Sequence, residues 1–264
     1  MRYAVVSDIH ANLEAFTAVL AKIDKESVDS IVCSGDLVGY FANPNECVAL
    51  IRERGIRCVA GNHDRAAVGL KAPLNFSERA RRAVVWTMRQ LTADNVQFLK
   101  QLRVLEAIDD RFLLVHGALH PEPNEDVYLS SPEAVRQSCE ALAAHPSNAN
   151  LCFFGQTHRR AAYRYSGAAP VEMTGERVQL TRDACHLVNA GSVGLPRGDD
   201  SAASFLIFDR DADVIEFHRV PFDAARACRR AERAGLLNTD SLLRRGRNRL
   251  ARSIHSAMKV VARS

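Results

Sequence analysis

Val59-Ala60-Gly61-Asn62-His63-Asp64 closes an apolar run, opened by Ile56 and Cys58, with a glycine and then an amide, an imidazole and a carboxylate in consecutive positions. That is a strand running out into a loop that carries polar groups. In α/β proteins ligands bind outside the carboxyl ends of strands, so chemistry is expected there. The same event recurs in Val5-Val6-Ser7-Asp8-Ile9-His10, Ile31-Val32-Cys33-Ser34-Gly35-Asp36, Leu113-Leu114-Val115-His116-Gly117 and Cys152-Phe153-Phe154-Gly155-Gln156-Thr157-His158. Side by side, these five strand ends can put two Asp, four His, an Asn and a Gln around one cavity.

Residue spacing predicts the elements between these loops. Residues 2–7 read as strand, and Leu13, Phe16, Val19, Leu20 and Ile23 recur at helical spacing in a helix ending near Lys25. Strand 30–34, a helix from Pro44 to Arg54 with Leu50 and Ile51 inward, and strand 56–60 follow. Strands alternating with helices imply right-handed crossovers and a mostly parallel sheet. Residues 77–103 read as two helices, the first with Ala80, Val84, Val85 and Met88 on one face, the second opened by Thr92 and carrying Val96, Leu99 and Leu102. Strands 104–108 and 111–116 are joined by the hairpin-type turn Asp109-Asp110. After a loop at 117–128 and a helix at about 131–144, strands fall at 150–154, 161–165, 177–181, 185–189, 203–209 and 213–219, the last two linked through turn-rich Asp209 to Asp213. This second half signals antiparallel pairing, and two sheets, each half-covered by helices, is the economical packing.

A chain of 264 residues, 47% hydrophobic and 25% charged, suits an ordinary globular protein with a sizeable core. The net charge of +4 is too small to argue for nucleic acid by itself, but it is unevenly placed. From Arg226 onward eleven Lys and Arg face only Glu232 and Asp240, a local +9 that leaves −5 for residues 1–225. The seven cysteines are scattered, with no zinc-ribbon or disulfide spacing, which points to a reducing, cytoplasmic compartment. The first strand begins at about Arg2, leaving no room for a signal peptide, and no apolar stretch approaches the roughly 20 residues a membrane span needs.

The ligand types at the strand ends select the chemistry. Carboxylate, imidazole and amide oxygen together suit borderline divalent ions such as Mn²⁺, Fe²⁺, Co²⁺, Ni²⁺ or Zn²⁺ rather than Ca²⁺, which takes oxygens alone. Asp8 and His10, two apart at a strand end, can approach one ion together, and the two oxygens of Asp36 are able to bridge a pair. Two ions about 3.5–4 Å apart clamp the attacking and leaving oxygens of an in-line displacement and lower the pKa of water toward about 7. A phosphoester suits such a site, because its charge is neutralised in the transition state. Taken singly, His10, His116 and His158 would be structural histidines; their joint placement after strands reverses that. Asp36 read as a mere cap is the minority alternative. Arg65, Arg159 and Arg197 lie beside motif loops, where a guanidinium is a natural bidentate partner for phosphate, with solvated surface arginine as the competing reading. His120, His145, His186, His218 and His255 carry no motif and are taken as non-catalytic.

At these residues the chain resembles the calcineurin-like metallophosphoesterases. Asp8-Ile9-His10, Gly35-Asp36, Gly61-Asn62-His63-Asp64, His116-Gly117 and Gly155-Gln156-Thr157-His158 occur in family order over about residues 3 to 160. The likeness to the small bacterial members continues through Gly35-Asp36-Leu37-Val38-Gly39-Tyr40, Asn189-Ala190-Gly191-Ser192-Val193-Gly194 and Pro221 to about Arg247. The resemblance implies a four-layer α/β/β/α sandwich of two mixed β-sheets flanked by helices. It implies a metal-dependent phosphoesterase that hydrolyses a mono- or diester by attack of a hydroxide bridging two divalent ions, Mn²⁺ foremost. Asp8, His10 and His158 would hold the first ion, Asp36 would bridge, and Asn62 and His116 would hold the second. His63 would stabilise or protonate the leaving oxygen, oriented by Asp64, which is equally readable as a helix N-cap. Asn12 would steady the first loop or touch a phosphate oxygen. Gln156 stands where the family usually has a second-ion histidine; its carbonyl oxygen is a weaker, harder donor, implying a weaker second site shifted toward Mn²⁺ or Mg²⁺.

Three further expectations come from the rest of the chain. His120-Pro121-Glu122-Pro123-Asn124-Glu125-Asp126 is acidic, proline-punctuated and close to His116, and reads either as a wall that selects substrate or as an ordinary rigid loop. Residues 1–247 form the phosphoesterase domain, and 248–264 a basic amphipathic extension with Leu250, Ile254 and Met258 spaced by four. That stripe would pack on its own domain, a twin subunit, an acidic partner or a membrane surface. The competing functions are a non-catalytic scaffold of the same fold and nucleic-acid binding through the tail.

Overall fold

Strands that carry apolar residues on both faces must be covered on both faces, and this requirement organises the molecule. The structure, a computed structural model, describes residues 1–123, 127–197 and 202–237. In chain order the elements are β1 (Arg2–Val6), α1 (Leu13–Ile23), β2 (Ser30–Cys33), α2 (Pro44–Glu53), β3 (Arg57–Cys58), α3 (Asn62–Ala67), α4 (Glu78–Gln90) and α5 (Ala93–Gln101). There follow β4 (Leu105–Ile108), β5 (Phe112–Val115), α6 (Pro132–Ala143), β6 (Leu151–Phe154), β7 (Arg160–Tyr165), β8 (Val171–Glu172) and β9 (Arg177–Gln179). The last are β10 (Cys185–Ala190), β11 (Ala203–Asp209), β12 (Val214–Val220) and α7 (Ala224–Arg233).

The strands form two six-stranded mixed sheets, ordered β3-β2-β1-β11-β12-β9 and β4-β5-β6-β10-β7-β8. Period-2 alternation divides the side chains between layers. In β1, Tyr3 and Val5 face the second sheet while Ala4 and Val6 face the helices; in β5 and β6, Phe112, Leu114, Leu151 and Phe153 point between the sheets and Leu113, Val115, Cys152 and Phe154 point out. The outer face of the first sheet is covered by α1, α2 and α5, and that of the second by the Val135, Cys139 and Leu142 stripe of α6. The expected α/β/β/α sandwich is therefore the fold.

Several local expectations need correction. The residues after Gly61 are not loop: Asn62, His63 and Asp64 open α3, and β3 ends at Cys58, with Val59 bridging to Arg103. Six residues are too few to display a helical period, so the only sequence sign of α3 was the reading of Asp64 as a helix cap. Val85 and Met88 face outward, 40% and 47% exposed, because α4 buries the small side of the helix, Ala80, Ala83, Val84 and Thr87, against its neighbours. Asp109 and Asp110 form the expected turn between β4 and β5, both with positive φ (49° and 50°), and the pairing of Ile108 with Phe112 leaves Arg111 in the loop as well. Part of the basic C-terminal charge is neutralised within the fold, since Arg226 and Arg230 of α7 lie 3.2 and 2.9 Å from Glu14 of α1. No disulfide joins the seven cysteines. No helix among the described residues is long and apolar enough to cross a membrane. The extension at 248–264 and residues 124–126 lie outside the described residues.

Candidate metal centre

The parallel strands β1 and β2 of one sheet and β5 and β6 of the other end at a common edge of the sandwich, and their loops are sewn together by backbone hydrogen bonds. Asp8 N donates to Gly35 O (3.0 Å), His10 N to Asp36 O (2.9 Å), and Gly155 N to His116 O (2.9 Å). Across the sheets, Gln156 N donates to both carboxylate oxygens of Asp8 at 3.2 Å. These loops are held in costly conformations. Asp8, His10, Ala11, Asp36, Tyr40, Gln156 and His158 all have φ between 52° and 65°, the left-handed region, at roughly 1 kcal/mol or more apiece. Strain concentrated there points to a site whose geometry outweighs its local cost. Gly61 makes a close approach possible: a Cβ there would lie 2.0 Å from Asp36 Oδ1.

Three histidines are oriented alike. Nδ1 of His10 donates to Val38 O (3.2 Å), that of His116 to Ser34 O (2.7 Å) and that of His158 to Leu195 O (2.8 Å). A ring that spends its Nδ1 proton on a carbonyl presents the Nε2 lone pair, the arrangement of metal-binding imidazoles. Those nitrogens converge on the carboxylates: His158 Nε2 is 3.3 Å and His10 Nε2 3.8 Å from Asp8 Oδ1, and His116 Nε2 is 3.2 Å and His10 Nε2 3.6 Å from Asp36 Oδ2. His116 Nε2 also lies 3.0 Å from Asn62 Oδ1. Asp8, His10 and His158 form one group able to hold an ion, Asp8, Asp36 and His116 another, and His10, Asp36 and His63 a third that shares members with both.

The donor set fits divalent cations. His10 Nε2 and His158 Nε2 are 2.9 Å apart, and with both Nδ1 protons committed their lone pairs face each other, an arrangement that requires a positive charge beside them. The titration of the protein groups carries the same message. Burial works against the charged forms of Asp8 and Asp36, yet His158 and His116 respectively outweigh it and hold both carboxyls below the usual range. Burial likewise opposes a charge on His116, but Asp36 overcomes it and pushes the pKa up to about 10. His10 is driven well below its ordinary value by burial. An ion held by these carboxylates and imidazoles would compete with a proton on the His116 ring.

Not every predicted residue arrives there as expected. Asp64 does not reach the His63 ring. Its Oδ1 accepts from Val38 N (3.1 Å) and its Oδ2 from Gly61 N (2.9 Å), the helix-capping alternative, and burial raises its pKa to about 7. Asn12 steadies the first loop, Oδ1 capping α1 through Ala15 N and Nδ2 donating to Gly194 O, and it is not in the wall of the neighbouring cavity. A cavity of about 290 Å³ opens beside the centre, lined by Asn62, His63, Gln156, Tyr40, Phe76, Tyr128, Lys71 and Arg197, among others. Arg197 is thus the predicted arginine that reaches it. Arg159 is exposed outside it, and Arg65, on α3, is not in its wall. Tyr40 belonged to a quoted motif, but Lys71, Phe76 and Tyr128 come from stretches without any motif.

A model of the calcineurin-like phosphoesterase superfamily domain matches residues 1–213. An uncharacterized protein of Methanocaldococcus jannaschii is 35% identical over 228 residues, covering 85% of this chain and 89% of that one. The crystal structure of a metallophosphoesterase from Sphaerobacter thermophilus superposes with a TM-score of 0.73 at 36% identity, covering 90% of this chain and 95% of that one. A hypothetical protein from Pyrococcus horikoshii has the same fold, with a TM-score of 0.69 at 17% identity over 90% and 94% of the two chains.

Proposed function

We propose, given that this chain belongs to the calcineurin-like phosphoesterase superfamily, that it hydrolyses a small phosphate mono- or diester with two divalent ions held at the described centre. The observation that carries this is the convergence of three Nδ1-anchored imidazoles on the buried carboxylates Asp8 and Asp36. Asp8, His10 and His158 would hold one ion, Asn62, His116 and Gln156 the other, and Asp36 would serve both. When bound, such a pair neutralises phosphoryl charge and makes hydroxide available near neutral pH, water's pKa falling toward about 7. Mn²⁺ is the proposed metal, and the cytoplasm the proposed setting.

The chain's own groups supply the rest. His63 lines the cavity with Asn62 and Gln156, so a phosphoester seated there meets its imidazole, which donates a hydrogen bond or a proton to the leaving oxygen. Arg197 pairs with a non-bridging phosphate oxygen from the cavity wall. A space of about 290 Å³ suits a small organic ester or one nucleotide. The test is hydrolysis of bis-4-nitrophenyl phosphate with added Mn²⁺. Asp36→Asn is expected to reduce kcat by at least about a hundredfold and to lower bound Mn²⁺. Unchanged turnover and metal content in that variant would place the chemistry away from this centre and end the proposal, whereas no metal-dependent turnover in the native protein would leave the non-catalytic scaffold.

A further inference from the structure

Tyr40 and Phe76 both pack against the His63 ring, each tilted to it. The His63 ring centroid lies 4.8 Å from that of Tyr40 and 4.7 Å from that of Phe76, each pair at 33° between planes. The Arg79 guanidinium sits over Tyr40, 5.3 Å from its centroid. His63 differs from its neighbours in how it is fixed. His10, His116 and His158 are each pinned through Nδ1 by a carbonyl, whereas Nδ1 of His63 is buried with no hydrogen-bond partner. The carboxylate next to it in sequence, Asp64, is committed to two backbone N–H groups. Nδ1 is instead turned to Gly39, where an added Cβ would lie 2.4 Å from it. Gly39 makes the room, and Nε2 is the nitrogen left for the cavity.

We propose that Tyr40 and Phe76 are positioning residues: their rings hold the His63 imidazole edge-on to the substrate, in place of the hydrogen bond that fixes the other histidines. This rests on the leaving-group role proposed for His63. As hydroxide forms its bond to phosphorus and the ester P–O bond breaks, the electron pair of the broken bond goes to the leaving oxygen, which accepts a hydrogen bond from Nε2–H, or the Nε2 proton itself when the ring carries both protons and keeps the one on Nδ1. A ring free to tilt loses that alignment, while packing against two rings prevents the tilt without a polar contact. The same packing argues against Tyr40 as a platform for a substrate base, since His63 and Arg79 already lie against its ring.

Two measurements test the proposal. In NMR spectra of the metal-free protein, the His63 Cδ2–H and Cε1–H resonances are expected upfield from ring currents, moving downfield in Phe76→Leu. In the Mn²⁺-loaded enzyme, with bound metal measured for each variant, phenyl and 4-nitrophenyl phosphodiesters are compared. Phe76→Leu is expected to lower kcat about tenfold or more on the phenyl ester, which needs the acid, and little on the 4-nitrophenyl ester, with KM nearly unchanged. Phe76→Tyr is expected to restore the native ratio, and Phe76→Leu to cost nothing further in a His63→Ala background. Equal losses on both esters, an additional loss without His63, or unmoved His63 resonances would each overturn it. If His63→Ala itself shows no preference between the esters, the leaving-group role falls and this proposal with it; if His63→Ala is selective and Phe76→Leu is not, the positioning alone fails.

Discussion

Gln156 is 2% exposed and sits in the cavity wall beside Asn62 and His63, in a left-handed backbone conformation (φ 65°). In the proposed two-ion centre, an amide oxygen offered in place of an imidazole would lower the affinity of the second site for borderline metals. Gln156→His is therefore expected to tighten the second equivalent of Mn²⁺ about tenfold in a calorimetric titration while leaving the first unchanged. Two equally tight ions in the native protein, unaffected by the substitution, would contradict the idea. Asp64 shows what residue identity alone leaves open. Asp-after-His reads as an orienting pair, yet a carboxylate at the third position of a helix is also the natural acceptor for the N–H of the residue before that helix. The backbone of Gly61 wins, because α3 begins at Asn62.

Between elements, the ends of the two sheets are tied by a small ionic cluster. Arg111, at the start of β5, and Arg182, just before β10, both bind Asp213 at the β11–β12 turn, with Arg111 also donating to Asn150. Burial pushes the Asp213 carboxyl up, but hydrogen bonds from Arg182 and Arg111 outweigh that and hold its pKa below the ordinary value. A carboxyl with a depressed folded-state pKa stabilises fully above its unfolded pKa of about 3.9, and the contribution is lost as pH falls through the folded value. Asp213→Asn, which retains tolerance for the positive φ of 52° there, is expected to cost about 2 kcal/mol at pH 7 in urea unfolding and much less near pH 2. An equal cost at both pH values would show that charge is not what the cluster contributes. Arg111 and Asp213 are nearly buried, whereas Arg182 is 73% exposed, so solvent screens its charge and the bond to Arg111 carries most of the stabilisation. Helix faces were the less legible elements. Of the expected inward stripe, Ala80 and Val84 are buried but Val85 and Met88 are not; Ala83 and Thr87 complete the buried face instead, which allows α4 close to α3 and α2.

At the scale of the molecule, the centre is assembled from both sheets, so anything bound there joins the two halves. Asp8, His10 and Asp36 come from the first sheet, His116, Gln156 and His158 from the second. A ligand that binds only the folded state stabilises by mass action, about 2.7 kcal/mol at a hundred times its dissociation constant. Chelation of bound metal is expected to lower the Tm by roughly 5–10 °C in scanning calorimetry for a chain of this size. A Tm indifferent to chelator in metal-loaded protein would show that the cluster holds no ion tightly.

The sequence by itself determined the alternation of strands and helices, the apolar runs that must be covered on both faces, and the five polar stretches that carry the candidate ligands. Those are local patterns, set by a period of two or 3.6 residues and by which side chains follow a strand. Only the tertiary structure decided which acceptor each polar group found, which of three arginines reached the cavity, and that Tyr40 and Phe76 pack against His63. Such contacts join residues separated by tens of positions, and their partners are chosen by the way two sheets close on one another, which no short stretch of chain encodes.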